Sequence, residues 1–349
     1  MPVKDAVRLC VPTEGPSITV CVPVYNVECY LRECLESIFS QDYPRFDVVM
    51  VDDGSTDGSG AICDEYAEKK SQRAFVVHKD NEGPLLARRD GFARAAGQYV
   101  MCVDSDDMLL PGALSAVAAA VDKTGADVVR FGFTREAGAA GPSGDYSSCE
   151  FYPAGEKPAM LRAICCTTSG SENPMCFKAL RRECVGANVD FSEFKGLTFA
   201  EDFLQTLTVY DCAETFCFLD ATLYYYRPGS GITRAYNPHF YRDVCHCLDV
   251  AEGFARRWEA DYSCDGLMEG LAACRLDSAA QYAEWMASRV DKVGLEGLRT
   301  SDDFVRCTGD RGALSILRFD RRLVIAALRH GVYPLVTAVA KARAARAGR

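Results

Sequence analysis

What this 349-residue chain lacks narrows the field before any motif is read. No stretch approaches the roughly 18 consecutive apolar residues that span a bilayer, which excludes an integral membrane protein. Positive charge is in the minority, 39 Lys and Arg against 49 Asp and Glu, and a net charge of −10 is repelled by a phosphate polymer, so no nucleic-acid partner is expected. The 18 cysteines never stand three apart, and no C-x-x-C pair exists to open a zinc site. Cys245-His246-Cys247 comes nearest to a ligand cluster, but adjacent helical residues point in different directions and cannot converge on one ion. The start, MPVKDAVRLCVP, shows no charged segment followed by an apolar run of roughly 7–15 residues, so no signal peptide is visible. Reduced, mostly buried thiols in a cytoplasmic protein are the expectation. A hydrophobic share of 48% and a charged share of 25% are those of a globular chain.

What is present is an alternation of strands and helices. Ser17 to Asn26, SITVCVPVYN, reads as a buried strand ending in a loop, and Glu28 to Ser40 sets Tyr30, Leu31, Cys34, Leu35 and Ile38 on one helical stripe. Asp47 to Val51 is a second strand, Ala61 to Lys70 a helix, Ala74 to His78 a third strand, and Gln98 to Val103 a fourth, with Pro84 opening the helix between these last two. Repeated units of this kind build a parallel sheet whose ligands lie off the carboxyl ends of its strands. The loop after the first strand, Pro23-Val24-Tyr25-Asn26, has no glycine, which rules out a dinucleotide fingerprint there. After the second strand stands Asp52-Asp53-Gly54-Ser55, either a helix cap with turn glycines or a ligand loop. After the fourth comes Asp104-Ser105-Asp106-Asp107, where three carboxylates repel one another unless a cation is shared among them. Hard oxygen donors suit Mg²⁺ or Mn²⁺ rather than zinc; the bland reading is a solvated acidic turn capping the next helix.

VCVPVYN, VVMVDDGSTDGS, NEGPLLARRDG, AAGQYVMCVDSDD and the later AEDFLQ stand in the order and spacing of family 2 glycosyltransferases, over roughly residues 17–234. The resemblance implies a GT-A fold: a Rossmann-like, mixed but mostly parallel α/β sheet flanked by helices. It further implies an inverting, nucleotide-sugar-dependent transferase of hexosyl or N-acetylhexosaminyl type. Carried onto this sequence, it assigns the nucleotide to Pro23, Tyr25 and Asp53, with Tyr25 offering a flat face to a pyrimidine and Asp53 accepting the uracil ring N–H. UDP is the nucleotide so implied. Gly83, Arg88, Asp104 and Ser105 join the donor site, and Asp104-x-Asp106 is the divalent-metal motif, for Mn²⁺ or Mg²⁺, that neutralises the leaving diphosphate. Arg89 stands where many relatives carry asparagine. Glu201-Asp202 matches the catalytic Glu-Asp pair, with Asp202 the base that takes the acceptor hydroxyl's proton during inversion. Read without the family, the same acids are the dipole-favoured first turn of an apolar helix. Arg227, Ser230, Thr233 and Arg234 resemble a loop that closes on the diphosphate, although the tyrosines before them read equally as edge-strand packing.

The resemblance ends near residue 236, giving an expected N-terminal extension at 1–16, a transferase domain at 17–236 and a helical appendage at 237–349, amphipathic from His239 to Trp258 and from Leu267 to Arg289. A Gly/Ala/Ser-rich stretch at 134–152 predicts a hairpin or insertion. The end is basic: Arg318, Arg321, Arg322, Arg329, Lys341, Arg343, Arg346 and Arg349 face Asp320 alone. Such a helix either lies on the anionic inner face of a membrane, where lipid-linked acceptors are built, or is a frayed helix end. The expected partners are a UDP-sugar donor and a saccharide or lipid-linked acceptor of surface-glycan assembly. A silent glycan or nucleotide binder of the same fold would be expected to lose an acid at Asp104, Asp106 or Asp202, and a sugar nucleotidyltransferase needs a basic, glycine-rich first loop; neither feature is found.

Overall fold

The computed structural model describes residues 15–139, 141, 148–168, 171–186, 189–229 and 236–347. The chain forms two compact units. The first comprises the described parts of Met1–Lys157, Pro174–Leu197 and Thr208–Ile232; the second takes Pro158–Asn173, Thr198–Leu207 and Thr233–Arg349.

In the first unit, β1 (Ile18–Val24), β2 (Phe46–Asp52), β3 (Ala74–His78) and β4 (Tyr99–Cys102) pair in parallel in the order β3-β2-β1-β4. The helices α1 (Glu28–Phe39), α2 (Ser59–Lys69) and α3 (Pro84–Arg94) make the crossovers. β1 and β2 are buried almost throughout because helices cover a parallel sheet on both faces, which is why they read as continuous apolar runs. The sheet continues through β5 (Met108–Leu109), β6 (Val128–Thr134), β7 (Cys149–Tyr152), β8 (Lys178–Arg181) and β9 (Phe216–Tyr225), with α4 (Ala113–Thr124) between β5 and β6. β8 runs antiparallel to β4 and β6, so the sheet is mixed, as the family resemblance implied. β7 falls in the stretch expected as a hairpin or insertion and lies antiparallel on β9.

The α1 stripe corrects one expectation. Leu31, Cys34, Leu35 and Ile38 are fully buried, and the three aliphatic side chains contribute about 1.5–3 kcal/mol each. Tyr30 is not part of that buried face: it is 37% exposed and packs under the Arg227 guanidinium at 4.9 Å. A residue next to a core position lies about 100° around the helix, enough to turn a large ring outward.

Two helices cross the boundary between units, α5 (Lys157–Cys166) and α6 (Glu201–Cys212). The second unit is otherwise helical: α7 (Phe240–Tyr262), α8 (Leu267–Ser288), α9 (Lys292–Thr300), α10 (Asp302–Thr308), α11 (Arg311–Ile316), α12 (Phe319–Arg329) and α13 (Tyr333–Ala347). Its core gathers Leu276, Ala280 and Ala283 of α8 with Phe304, Val324 and Leu328. No described helix is long and apolar enough to cross a membrane.

Candidate active site

The carboxyl ends of β1, β2 and β4 lie side by side, with Val24 opposite Asp52 and Cys21 opposite Cys102, so the three loops that follow form one rim of the first unit. The first two loops brace each other. Asn26, at φ 52°, accepts from the Thr56 amide at 2.8 Å and donates its own amide to Ser55 Oγ at 3.1 Å, while Val27 N–H donates to Ser59 Oγ at 2.9 Å. Tyr25 is left 49% exposed at the rim and Pro23 half-buried, so an aromatic face is open at the carboxyl end of β1.

Asp53 is buried. Its carboxylate accepts from the backbone N–H of Glu82 at 3.0 Å and of Gly83 at 2.8 Å, tying the second loop to the start of α3. Burial raises its pKa above the usual carboxylate range against the pull of those two amides. A carboxylate has about four lone-pair sites, so two amide donors leave capacity for a ligand N–H. Gly83 holds φ at 95°, a conformation that excludes side chains, and it caps α3 just before Pro84.

Arg88 is buried on α3, and its charge acts on the Cys21 thiol together with that of Asp104. Arg89 is accounted for: its guanidinium holds Asp90 at 2.6 Å. Sequence reading missed Lys79, whose ammonium joins Glu82 at 2.6 Å and Asp90 at 2.9 Å and lies 3.8 Å from Asp53.

The acidic turn after β4 divides its carboxylates. Asp104 and Asp106 are half-buried, Ser105 is buried, and Asp107 turns inward at 2% exposure. Asp107 accepts from the Tyr224 hydroxyl at 2.9 Å and from the Arg227 amide at 2.7 Å, while the same hydroxyl accepts from Asp104 N–H at 3.1 Å. Burial, then the charges of Asp104 and Asp106, pushes the Asp107 carboxyl up to about 7. Arg227 clamps the turn from outside, donating from Nε to the Asp106 carbonyl at 2.7 Å and pairing with Glu33 of α1 at 2.7 Å. Tyr224, Glu33 and Tyr30 were not anticipated; their signal lay only in the pairing of β9 with β5, which carries Tyr224 opposite Leu109. Ser230, Thr233 and Arg234 lie outside the described residues.

The donor set fits a divalent cation completed by a ligand. Among the described residues no group of three or more His, Cys, Asp or Glu side chains can hold a metal alone, and Asp107 is engaged by Tyr224 and Arg227. Mg²⁺-type ions are ordinarily held by one or two carboxylates plus substrate phosphates and water, which Asp104 and Asp106 can supply from the protein side.

Asp202 belongs to the second unit, in the first turn of α6. The preceding Ala200 adopts φ 62°, costly for a residue with a Cβ, while its carbonyl still accepts from Leu204 N–H at 3.1 Å. Gln205 and Thr206 are buried, and Thr206 donates to the Asn173 carbonyl at 2.8 Å. Much of the basic end is neutralised within its own unit: Arg321 pairs with Asp277 and Glu284, Arg343 with Glu284 and Asp320, and Arg318 with Asp320.

Comparison with known proteins finds glycosyltransferases. The glycosyltransferase GlyA of Streptococcus pneumoniae is 50% identical over 92 residues, 26% of this chain and 13% of GlyA. GlyG of the same organism is 41% identical over 113 residues, 32% of this chain and 37% of GlyG. The chain thus spans well under two thirds of these curated relatives. Among solved structures, residues 1–349 of S. aureus TarS match with a TM-score of 0.65 at 23% identity, covering 95% of this chain and 92% of that one. The same TarS segment in complex with UDP-GlcNAc matches with a TM-score of 0.59 at 22% identity. The family model for glycosyl transferase family 2 matches residues 19–184, the segment that holds β1 to β4 and the acidic turn, so this segment carries a glycosyl transferase family 2 domain.

Proposed function

We propose that this chain transfers a sugar from a UDP-sugar to a hydroxyl of a saccharide or lipid-linked glycan, with inversion at the anomeric carbon. The observation that carries the reading is the acidic turn at the carboxyl end of β4, where Asp104 and Asp106 are presented and Asp107 is locked inward by Tyr224 and Arg227. The TarS complex with UDP-GlcNAc, on the same fold, supports UDP as the donor nucleotide.

In this reading Tyr25 stacks on the uracil, and Asp53 accepts its ring N–H with the lone pairs that Glu82 and Gly83 leave. Asp104 and Asp106 would hold Mn²⁺ or Mg²⁺, which when bound supplies positive charge to offset the negative charge developing on the departing UDP. Arg88 adds a fixed cation on α3, and Ser105 lies between the two presented acids. Asp202 takes the acceptor's proton as the new bond forms, a role one positioned carboxylate fills. A role of Arg227, Ser230, Thr233 and Arg234 at the diphosphate extends the same proposal. Contact with an anionic membrane would rest on Arg322, Arg329 and Lys341, which are exposed.

A screen of UDP-sugars for slow transfer to water tests the reading without knowledge of the acceptor. UDP release from at least one UDP-sugar, dependent on Mn²⁺ or Mg²⁺ and abolished in Asp106→Ala, is the expected result. Equal UDP affinity in excess chelator, or a preference for GDP- or ADP-sugars, refutes it.

A further inference from the structure

Of the described cysteines only Cys29 and Cys212 are exposed, and Cys212 meets a second thiol. Cys212 closes α6, and its thiol donates to the Cys184 sulfur across 2.8 Å, with the Glu183 carbonyl at 3.7 Å. Cys184 ends the short 3₁₀ turn Arg182–Cys184 that follows β8, and it is buried. Both residues belong to the first unit, and neither is among those assigned to the donor or the base. From 2.8 Å, closure by about 1 Å brings the two sulfurs to the roughly 2.05 Å of a disulfide bond.

The backbones behind the two thiols are held close as well. One turn earlier in α6, Thr208 lies against Gly186, where a Cβ would come within 3.0 Å of the Thr208 Oγ1. Gly186 keeps φ at 63°, a conformation that favours glycine. Positions 208 and 212 share one face of the helix, so that face runs along residues 184 and 186. The thiol contact is therefore set by two successive turns of α6 and not by a single side-chain rotamer.

We infer that Cys212 and Cys184 are a redox modification site: a hydroperoxide oxidises the exposed Cys212, and Cys184 resolves the product to a disulfide. The Cys212 thiolate attacks one peroxide oxygen; the S–O bond forms, the O–O bond breaks, and sulfur is oxidised to a sulfenic acid while the second oxygen leaves as hydroxide. That hydroxide takes up the proton lost by Cys212. The Cys184 sulfur then attacks the Cys212 sulfur; the S–S bond forms, the S–O bond breaks, and the oxygen departs with the Cys184 proton as water. Two thiols and one hydrogen peroxide become one disulfide and two waters, and a dithiol reductant reverses the change. Access dictates the order. Burial, then the Cys212 thiol beside it, pushes the Cys184 pKa up, so Cys184 stays a protonated thiol until its partner has been oxidised. The cross-link joins residues 28 apart in the chain and ties the last turn of α6 to the end of β8. It requires no step of the proposed transfer.

The test treats the reduced full chain with a small excess of hydrogen peroxide in the presence of dimedone, which captures sulfenic acids. The remaining thiols are then blocked and the peptides mapped by mass spectrometry. Cys29, exposed and bonded to no thiol among the described residues, is the internal control and should collect dimedone. Cys212 should instead be found joined to Cys184, with both thiols restored by dithiothreitol. In Cys184→Ala nothing resolves the sulfenic acid, so dimedone capture at Cys212 should rise at least about tenfold. Cys212→Ser changes an exposed position and decides the matter however Cys184→Ala folds: there the buried Cys184 should stay reduced under peroxide. Hydrogen exchange of the β8 peptides should slow at least about tenfold on oxidation and recover on reduction, because the link constrains the unfolded chain. Equal dimedone capture at Cys212 and Cys29 in the unaltered chain, or oxidation of Cys184 in Cys212→Ser, overturns the inference. So does a product joined through Cys149 and Cys217, another hydrogen-bonded thiol pair of the unit, in place of this one, or a link that forms as fast in concentrated urea.

Discussion

Deleting a single oxygen, in Tyr224→Phe, tests the frame that holds the acidic turn. The ring is fully buried and its volume is kept, so the change reduces to the hydroxyl, which donates to Asp107 at 2.9 Å and accepts from the Asp104 amide at 3.1 Å. Each bond contributes about 1 kcal/mol net, and the buried Asp107 carboxylate, left with the Arg227 amide, adds a desolvation cost of about 1–3 kcal/mol. The sum for the first unit is about 3–5 kcal/mol, or roughly 150- to 5,000-fold in its unfolding equilibrium. Both tryptophans, Trp258 and Trp285, belong to the second unit, so their fluorescence during urea unfolding reports that unit while hydrogen exchange of the β4 and β9 peptides reports the first. Exchange in β4 and β9 should accelerate by that factor with the fluorescence midpoint nearly fixed. UDP affinity in Mn²⁺ should also fall, by about three- to tenfold, because the Asp104 backbone loses its anchor. Unchanged exchange in β4 and β9, or a loss seen only by fluorescence, refutes the frame.

Two further outcomes follow from the charge arrangement. His78 donates toward Asp52 at 2.8 Å and Asp64 at 3.0 Å; burial lowers its pKa, but the two carboxylates outweigh burial and leave it raised. A raised histidine stabilises the fold fully below its unfolded pKa of about 6.5 and loses that contribution as pH climbs through the folded value. The stability gap between wild type and His78→Gln, measured by urea unfolding, should therefore be widest near pH 6 and close toward pH 9; a gap that widens with pH refutes the pairing. Asp202→Asn keeps the side chain's shape but cannot accept a proton, so turnover should drop about 10²- to 10⁴-fold with donor affinity unchanged. Near-normal turnover there, with loss in Glu201→Gln, would assign the base to the other acid.

The parallel half of the sheet was legible because burial on two faces writes each strand as an apolar run, and the loop residues that follow mark its carboxyl end. The roles within the acidic turn were not legible. Three neighbouring acids look alike in a sequence, and only the pairing of β5 with β9 sets Tyr224 against Asp107. Tyr224 stands in a run of three tyrosines that reads as edge packing, and the clamp from Arg227 to Glu33 joins residues 194 apart in the chain. The second unit was visible as amphipathic helices, but its use of Pro158–Asn173 and Thr198–Leu207 depends on tertiary packing that local periodicity does not carry.

The inward turn of Asp107 also answers the difficulty that its own sequence poses. Three carboxylates within four residues repel one another strongly in a partly dry setting, and an open acidic turn would splay toward water. Here burial, then the charges of its two neighbours, pushes the third acid up to about 7, and its oxygens are held by hydrogen bonds from Tyr224 and Arg227. The outer surface of the turn then presents two acids, in the number that a hard divalent cation takes from a protein when phosphate oxygens complete its shell. Arg227 adds its positive charge outside the turn, paired with Glu33 and bonded to the Asp106 carbonyl, so it steadies the backbone of the turn. Folding thus commits one acid and two hydrogen-bond donors to geometry, and Asp104 and Asp106 carry the chemistry proposed for the turn.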